Sequence, residues 1–207
     1  MKLYLSSFRM GERFDDLVSV LGPGAKVAVV SNALDYIPAD ARRAYARTGF
    51  DAQRAFIEHG LDAFDLDLRS YFDAPQTLED ALDDVRLVWA VGGNAFLLRR
   101  AMRQSGFDRW LPSRVQEGKL IYGGWSAGAV VAGPDLDGIE LMDDPTVTAE
   151  GYEIGVVREG LGLVDFTIVP HYRSDHSEAE AAERAATFRH DHGLPFRTLR
   201  DGEVIVV

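Results

Sequence analysis

The residues of this chain whose types and spacing could do chemistry begin with a Gly-x-Ser-x-Gly motif centred on Ser126. The motif follows the apolar run 120–122 and precedes a run of small residues that ends at Ala132. A strand that turns sharply into a helix is the context in which such a motif presents a nucleophilic serine. The turn holds the serine in a crowded backbone conformation, and flanking glycines make room for it. We therefore expect Ser126 to be a nucleophile, with a simple tight turn as the alternative for so short a motif.

A histidine is placed to serve this serine as a base. A serine hydroxyl needs a base to take its proton, and the base needs a third group that fixes its tautomer. His171 directly follows the strand-like run 166–170, and in an open parallel sheet the working groups collect at the carboxyl ends of strands. The remaining histidines, which fit this role less well, are His59, His176, His190 and His192. Because no third ligand accompanies His190-Asp191-His192, the sequence predicts no metal site.

A second glycine loop, Gly92-Gly93-Asn94, follows the apolar run 85–91. It matches neither Gly-x-Gly-x-x-Gly nor Gly-Lys-Ser/Thr, the patterns of nucleotide-binding loops, so the sequence predicts no cofactor. Hydrolases pair the backbone N–H after the nucleophile with one from an earlier strand-to-helix loop. We therefore expect this loop and the N–H of Ala127 to form an oxyanion hole. Asn94 is a candidate substrate-binding residue of the same loop.

These residues require a scaffold in which strands and helices alternate. Strands are predicted at 2–6, 26–31, 64–68, 85–91, 120–123, 166–169 and 203–207. Helices are predicted at 40–59 with a weak point at Gly49, at 78–82, 95–104 and 107–116, and from a capping box at 177–180 to 189. Near-continuous apolar strands that alternate with helices predict an α/β fold with a mostly parallel central sheet and helices on both faces. We expect one domain over 1–207, with a C-terminal hairpin that turns at 200–202.

Composition argues against several classes of function. The chain has 207 residues and a formal net charge of −11, whereas a nucleic-acid partner requires a basic face. No apolar run reaches the length of a membrane span, and we expect neither a membrane segment nor a signal peptide. The chain has no cysteine, which excludes disulfides and a thiol nucleophile and fits a cytoplasmic location. No sequence pattern predicts an oligomeric state.

The glycine loop, the Ser126 motif and Pro170-His171 occur in the order found in the peptidase E family of aspartyl dipeptidases. The chain resembles that family, which includes cyanophycinase-like enzymes, from about residue 26 to residue 203. The resemblance implies a fold related to class I glutamine amidotransferases, with serine in the place usually held by cysteine. It also implies a cytosolic serine exopeptidase that removes N-terminal aspartate from short peptides without a metal or cofactor. Carried over to this chain, Ser126 is the nucleophile, His171 the general base, and Gly93 and Ala127 the oxyanion donors.

The resemblance also indicates the third member of a catalytic triad. The family places an acid in a Leu-Pro-Glu-Gly turn before a late strand, and the corresponding turn here is Leu199-Arg200-Asp201-Gly202. Asp201 is therefore the predicted partner of His171, although Asp-Gly is also a common hairpin turn in any protein. The alternative acids are Asp143, Asp144 and Glu203.

Two departures from the family pattern bear on the substrate. Val91 and Ala95 replace a glycine and a threonine in the glycine loop, and Tyr172-Arg173 replaces Phe-Thr after the histidine. Arg173 is a candidate to bind a substrate carboxylate, with a surface ion pair as an equal alternative.

Two other functions are compatible with the sequence. One is a serine hydrolase that acts on a β-aspartyl polymer or a small ester, and the other is a catalytically silent binding protein of the same fold.

Overall fold

A computed structural model describes the backbone of residues 1–207 and the side chains of residues 1–44 and 49–207. The strands are β1 (Leu3–Ser6), β2 (Lys26–Val30), β3 (Asp62–Asp65), β4 (Leu87–Ala90), β5 (Ile121–Trp125), β6 (Thr167–Val169), β7 (Phe196–Thr198) and β8 (Val204–Val206). The α-helices are α1 (Phe14–Leu21), α2 (Ala39–Thr48), α3 (Ala52–Glu58), α4 (Leu78–Ala81), α5 (Ala95–Gln104), α6 (Phe107–Gln116), α7 (Ala127–Val130) and α8 (Ala179–Asp191). None of the helices so described combines the length and the apolar character that a membrane crossing requires.

Six strands form the central sheet in the order β3-β2-β4-β5-β1-β8. The first five run parallel, and β8 is antiparallel to β1 at one edge. Strands β6 and β7 pair in parallel as a separate two-stranded sheet. The predicted α/β fold with a mostly parallel central sheet is confirmed. Because parallel strands end at the same edge, the residues after β1, β4 and β5 meet there.

The inner strands of the sheet are buried on both faces, which explains why β1, β2 and β4 are mostly apolar. Alternate residues of β4 enter different cores: Val88 and Ala90 pack in one, Leu87 and Trp89 in the other. Helix α5 covers the first face with six fully buried apolar side chains, Ala95, Phe96, Leu97, Leu98, Ala101 and Met102. Helices α1 and α3 cover the second face and bury Leu17 and Phe56 there.

The predicted helix over 40–59 is two helices, α2 and α3. The chain breaks at Gly49, the expected weak point, and Asp51 then caps α3 by accepting the backbone N–H of Arg54 at 3.0 Å. The strand predicted at 64–68 lies instead at Asp62–Asp65. Asp67 accepts the backbone N–H of Arg69 and so begins a short 3-10 turn that ends the extended segment.

The predicted C-terminal hairpin is wrong. Strand β7 pairs with β6 in the small sheet, whereas β8 pairs with β1 in the large one. The segment between them, which contains Asp201, therefore crosses from one sheet to the other and does not close a hairpin. The predicted capping box is also not formed, because the N-cap of α8 is Glu178, and its side chain makes no cap hydrogen bond.

Candidate active site

Ser126 occupies the turn between β5 and α7. Its φ is 48° and its ψ −118°, a conformation that residues with a side chain rarely adopt. Its backbone N–H donates to the carbonyl oxygens of Ser6 and Ser7, at 3.2 and 3.1 Å, which ties the turn to the end of β1. Gly128 lies so close to Ala90 that a Cβ there would overlap the Ala90 carbonyl oxygen. Packing thus requires this glycine of the motif, and the turn has the form of a nucleophile elbow.

His171 lies just beyond β6 and also has a positive φ, 60°. Its Nδ1 lies 2.7 Å from Oδ1 of Asp201. A carboxylate accepts the proton of Nδ1–H, so Nε2 is left as the basic nitrogen of the neutral imidazole. Ser126 and His171 line one cavity. No hydrogen bond joins the Ser126 hydroxyl to His171 in the described part of the chain, and such contacts commonly tighten when substrate binds.

Ser7, directly after β1, connects the parts of this site. Its Oγ donates to Oδ1 of Asp201 at 2.9 Å and accepts the backbone N–H of His171 at 2.8 Å. Its own carbonyl accepts the N–H of Ser126. Sequence reasoning misses this fully buried serine, because only the pairing of β1 with β5 brings it to the elbow.

The other acids considered from the sequence have different partners. Asp143 accepts the backbone N–H of Ala95 at 2.8 Å, at the start of α5. Asp144 accepts from the backbone and the hydroxyl of Thr146, and Glu203 accepts the backbone N–H of Arg200 at 2.7 Å. Of the four acids, Asp201 is the one that the structure places against the His171 imidazole.

The electrostatics of the site favour a neutral imidazole. Burial lowers the pKa of His171 below its ordinary value, and the nearby His176 adds to this effect, while hydrogen bonding to Asp201 opposes it. A neutral imidazole is the form that can take a proton from a serine. Burial raises the pKa of Asp143 to about 7, against the effect of the Ala95 N–H, and the like charge of Glu178 adds to the rise.

A second imidazole stacks on the first. The rings of His171 and His176 are 3.8 Å apart and within 8° of parallel, and Phe8 meets both edge-on. Glu178 Oε2 lies 3.8 Å from Nε2 of His171. The ligand atoms of His171, His176 and Glu178 lie within 4.8 Å of one another, so this group of described side chains could hold a metal ion. Such an ion would occupy the nitrogen that a general base needs.

The glycine loop lies against the elbow. A Cβ on Gly92 would come within 3.1 Å of Cβ of Ser126, and one on Gly93 within 2.6 Å of the Ala33 carbonyl oxygen. Gly93 also has a φ of 138°, which favours glycine. Within the described residues, the backbone N–H groups of Gly93 and Ala127 donate to no other backbone group. Neither is therefore committed to another acceptor, as an oxyanion donor requires.

The two candidate substrate-binding residues lie away from the open cavity. Asn94 caps α5, with Oδ1 accepting the Leu97 N–H at 2.9 Å and Nδ2 donating to the Asp144 carbonyl at 2.8 Å. Its side chain thus holds the loop in place. Arg173 does not line the cavity; its guanidinium lies 5.0 Å from the Tyr172 ring, and its Nε 4.0 Å from Glu183. The surface ion pair weighed for Arg173 is the alternative that fits the structure.

The cavity beside Ser126 has a volume of about 770 Å³. Its wall includes two ion pairs. Arg42 pairs with Asp35 at 2.8 Å, and Arg69 with Asp67 at 2.6 Å. A pocket of this size fits a short peptide, and charged groups on its wall would recognise charged parts of one.

A strained serine beside a histidine–aspartate pair and two free backbone N–H groups is the arrangement that serine hydrolases share on unrelated folds. The chain matches peptidase family S51 over residues 5–207 and belongs to that family, so it is a serine-type peptidase. It is 32% identical to peptidase E of Streptomyces coelicolor over 84% of this chain and 72% of that one. It is 29% identical to a protein of Drosophila melanogaster named probable alpha-aspartyl dipeptidase, over 79% of this chain and 66% of that one.

Solved structures show the same fold. The crystal structure of a candidate peptidase E protein from Listeria monocytogenes superposes with a TM-score of 0.77 at 22% identity and covers 99% of this chain and 93% of that one. A peptidase from an acI-B1 actinobacterium has a TM-score of 0.62 at 15% identity and covers 96% of this chain and 80% of that one.

Proposed function

We propose that the protein is a serine dipeptidase that hydrolyses short peptides with an N-terminal aspartate through an acyl-enzyme on Ser126. The observation that carries the proposal is the His171–Asp201 pair at the cavity that also holds the strained Ser126. Membership of peptidase family S51 supports the reaction. The relatives named peptidase E and alpha-aspartyl dipeptidase support the substrate.

The proposed reaction begins with transfer of the Ser126 proton to Nε2 of His171 as Oγ attacks the first peptide carbonyl. Asp201 accepts the Nδ1–H throughout and stabilises the imidazolium that forms. The N–H groups of Gly93 and Ala127 bind the negative oxygen of the tetrahedral intermediate. His171 then protonates the leaving amine, and the peptide bond breaks to leave an ester on Ser126. Water, deprotonated by the same imidazole, hydrolyses that ester.

Exopeptidase action also requires a group that recognises the free α-amino end of the substrate. We assign this role to Glu178, a carboxylate of the cavity wall close to Nε2 of His171. An ammonium paired with Glu178 would sit next to the reacting carbonyl, which places the first residue of a peptide there. A peptide with a blocked N-terminus lacks that ammonium and is expected to be a poor substrate.

The test combines covalent labelling with a panel of dipeptides. A fluorophosphonate probe should label the wild-type protein and fail to label Ser126→Ala, with circular dichroism as the check that the variant folds. Asp-Leu should be hydrolysed faster than Glu-Leu, Asn-Leu, Ala-Leu, β-Asp-Leu and N-acetyl-Asp-Leu. If untreated wild-type protein, from a preparation that the probe labels, hydrolyses no member of the panel, the peptidase proposal is contradicted. Equal rates on Asp-Leu and Ala-Leu would contradict its aspartyl part alone.

A further inference from the structure

Arg9 lies at the mouth of the site, in the loop that follows β1. This loop is adjacent to the nucleophile, because Ser126 donates its backbone N–H to the two residues before Phe8, Ser6 and Ser7. Arg9 has a φ of 51°, which is uncommon for a residue with a side chain. Its side chain is exposed and lines the same cavity as Ser126 and His171. A strained turn thus presents this arginine at the cavity that holds Ser126.

Two aromatic rings hold the Arg9 guanidinium in place. Its Cζ lies 4.8 Å from the ring centroid of Phe8 and 5.2 Å from that of Phe50. Phe8 in turn packs against His171, at 6.0 Å between ring centroids, and Phe50 against Trp125, at 5.4 Å. Stacking on rings orients a guanidinium and leaves its N–H groups free for an anion. These contacts place the cation within the shell of side chains that surrounds Ser126.

Arg9 has no carboxylate partner among the described side chains, in a chain of formal net charge −11. The arginines deeper in the cavity differ, because Arg42 and Arg69 are paired with Asp35 and Asp67. Arg43 also lines the cavity without a described ion pair, but it lies on α2 and not on a loop tied to the elbow. Arg9 is therefore the cation best placed to bind an anionic group of a molecule whose carbonyl lies at Ser126.

We propose that Arg9 is a specificity-determining residue that binds a carboxylate of the peptide substrate. The proposal rests on the proposed function and assigns to Arg9 the role that the sequence suggested for Arg173. A planar guanidinium donates two parallel N–H bonds to a carboxylate, a geometry that lysine cannot reproduce. An aspartyl dipeptide offers two such groups, the side chain of its first residue and its C-terminus. The two sources are distinguished by removing one carboxylate at a time.

The kinetic test uses Arg9→Gln on Asp-Leu, Asp-Leu-amide and Asn-Leu. We expect kcat/KM for Asp-Leu to fall between about 10- and 100-fold, the usual value of hydrogen bonds to a charged group. The loss should nearly vanish on the one substrate that lacks the carboxylate bound by Arg9. A loss on Asp-Leu-amide but not on Asn-Leu assigns the side-chain carboxylate, and the converse assigns the C-terminus. Equal losses on all three substrates, or none, would overturn the proposal.

Three variants control this experiment. Arg173→Gln is matched, because Arg173 also has a positive φ, 52°, and stacks on the preceding aromatic ring, yet lies outside the cavity. It should behave as wild type. Arg43→Gln tests the competing cation, and a substrate-selective loss there in place of Arg9→Gln would contradict the proposal. Arg9→Lys should recover part of the activity. Fluorophosphonate labelling of Arg9→Gln at the wild-type rate would show that the elbow is intact.

A binding measurement separates this proposal from the proposed function. Titration calorimetry of Asp-Leu into Ser126→Ala should give a dissociation constant that weakens between about 10- and 100-fold when Arg9→Gln is added. If the wild type hydrolyses no peptide but this dependence holds, the proposed function fails and the role of Arg9 stands. If the wild type is active and Arg9→Gln changes neither binding nor kinetics, the role of Arg9 fails alone. Absence of both hydrolysis and binding would overturn both.

Discussion

At the proposed reacting centre the His171 side chain is buried and held by protein partners, whereas on the wall of the same cavity the ion pair of Arg69 and Asp67 is partly exposed. The His171 side chain is 2% exposed, and Asp201 accepts from both His171 and Ser7. On the wall, Arg69 and Asp67 pair with side chains 37% and 43% exposed. Exposed pairs of this kind contribute little to stability because water competes with them.

The difference indicates that one region carries out the reaction and the other selects the substrate. Strained backbone at Ser126, His171 and Gly93 fixes the reacting groups, and each strained residue is held by hydrogen bonds or close packing. The wall contributes the long side chains of Arg42 and Arg69, and Arg9 contributes another at the mouth of the cavity. Substitutions at the centre should therefore lower kcat, and substitutions on the wall, such as those of Arg9, should change substrate preference.

The largest effect of a substitution at the reacting centre is expected from Asp201→Asn. The asparagine amide would donate toward Nδ1, favour the wrong imidazole tautomer and remove the charge that stabilises the imidazolium. We expect kcat to fall by about 10³–10⁴-fold with little change in KM, as for this substitution in other triads. Steady-state kinetics on Asp-Leu measure it. The matched control is Asp143→Asn, which keeps an acceptor for the Ala95 N–H; a larger loss there than at Asp201 would show that the wrong acid has been assigned.

A smaller loss is expected from Gly93→Ala. Alanine is strained at a φ of 138°, and its Cβ would lie 2.6 Å from the Ala33 carbonyl oxygen, so the loop must move. Displacing one oxyanion donor should lower kcat by about 10²-fold. Gly60→Ala is the control, because Gly60 has a φ of 78° with open space around it and lies away from the cavity. If Gly93→Ala retains wild-type kcat, that N–H takes no part in the reaction.

The sequence predicts those parts of the fold and site that have a local signal. The bounds of α5 and α6 agree with the predicted 95–104 and 107–116, since Asn94 caps the start of α5 and Gly106 separates the two helices. His171 follows a strand that can be recognised without knowing which strands pair. The resemblance to the peptidase E family indicates Asp201, and the structure brings its carboxylate to 2.7 Å from the His171 imidazole.

The features that the sequence does not predict are those that depend on which strands pair. Ser7 and Arg9 stand in an unremarkable loop until β1 is placed beside β5, and no local pattern specifies that pairing. An Asp-Gly turn predicts a C-terminal hairpin, but β8 pairs with β1 at the edge of the large sheet, which local turn chemistry does not indicate. Arg173 follows His171 by two residues in sequence, yet it does not line the cavity, whereas Arg9 does.

The smallest effect tests the boundary between the two regions, where His176 stacks on His171. Activity requires neutral His171, so kcat/KM should rise with pH through a pKa below the ordinary value for histidine. His176→Gln removes a neighbour that disfavours the imidazolium and uncovers one face of the ring. Both changes raise the pKa of His171, so the acid limb of the pH–rate profile should move to higher pH while kcat at its plateau changes by less than about tenfold.

Asp143→Asn serves as the control, because burial raises the pKa of Asp143 to about 7, where it would produce an acid limb of its own. If the acid limb disappears in Asp143→Asn and stays in place in His176→Gln, the titrating group is the Asp143 carboxyl. His176 would then have no effect on the pKa of His171 and would belong to the cavity wall.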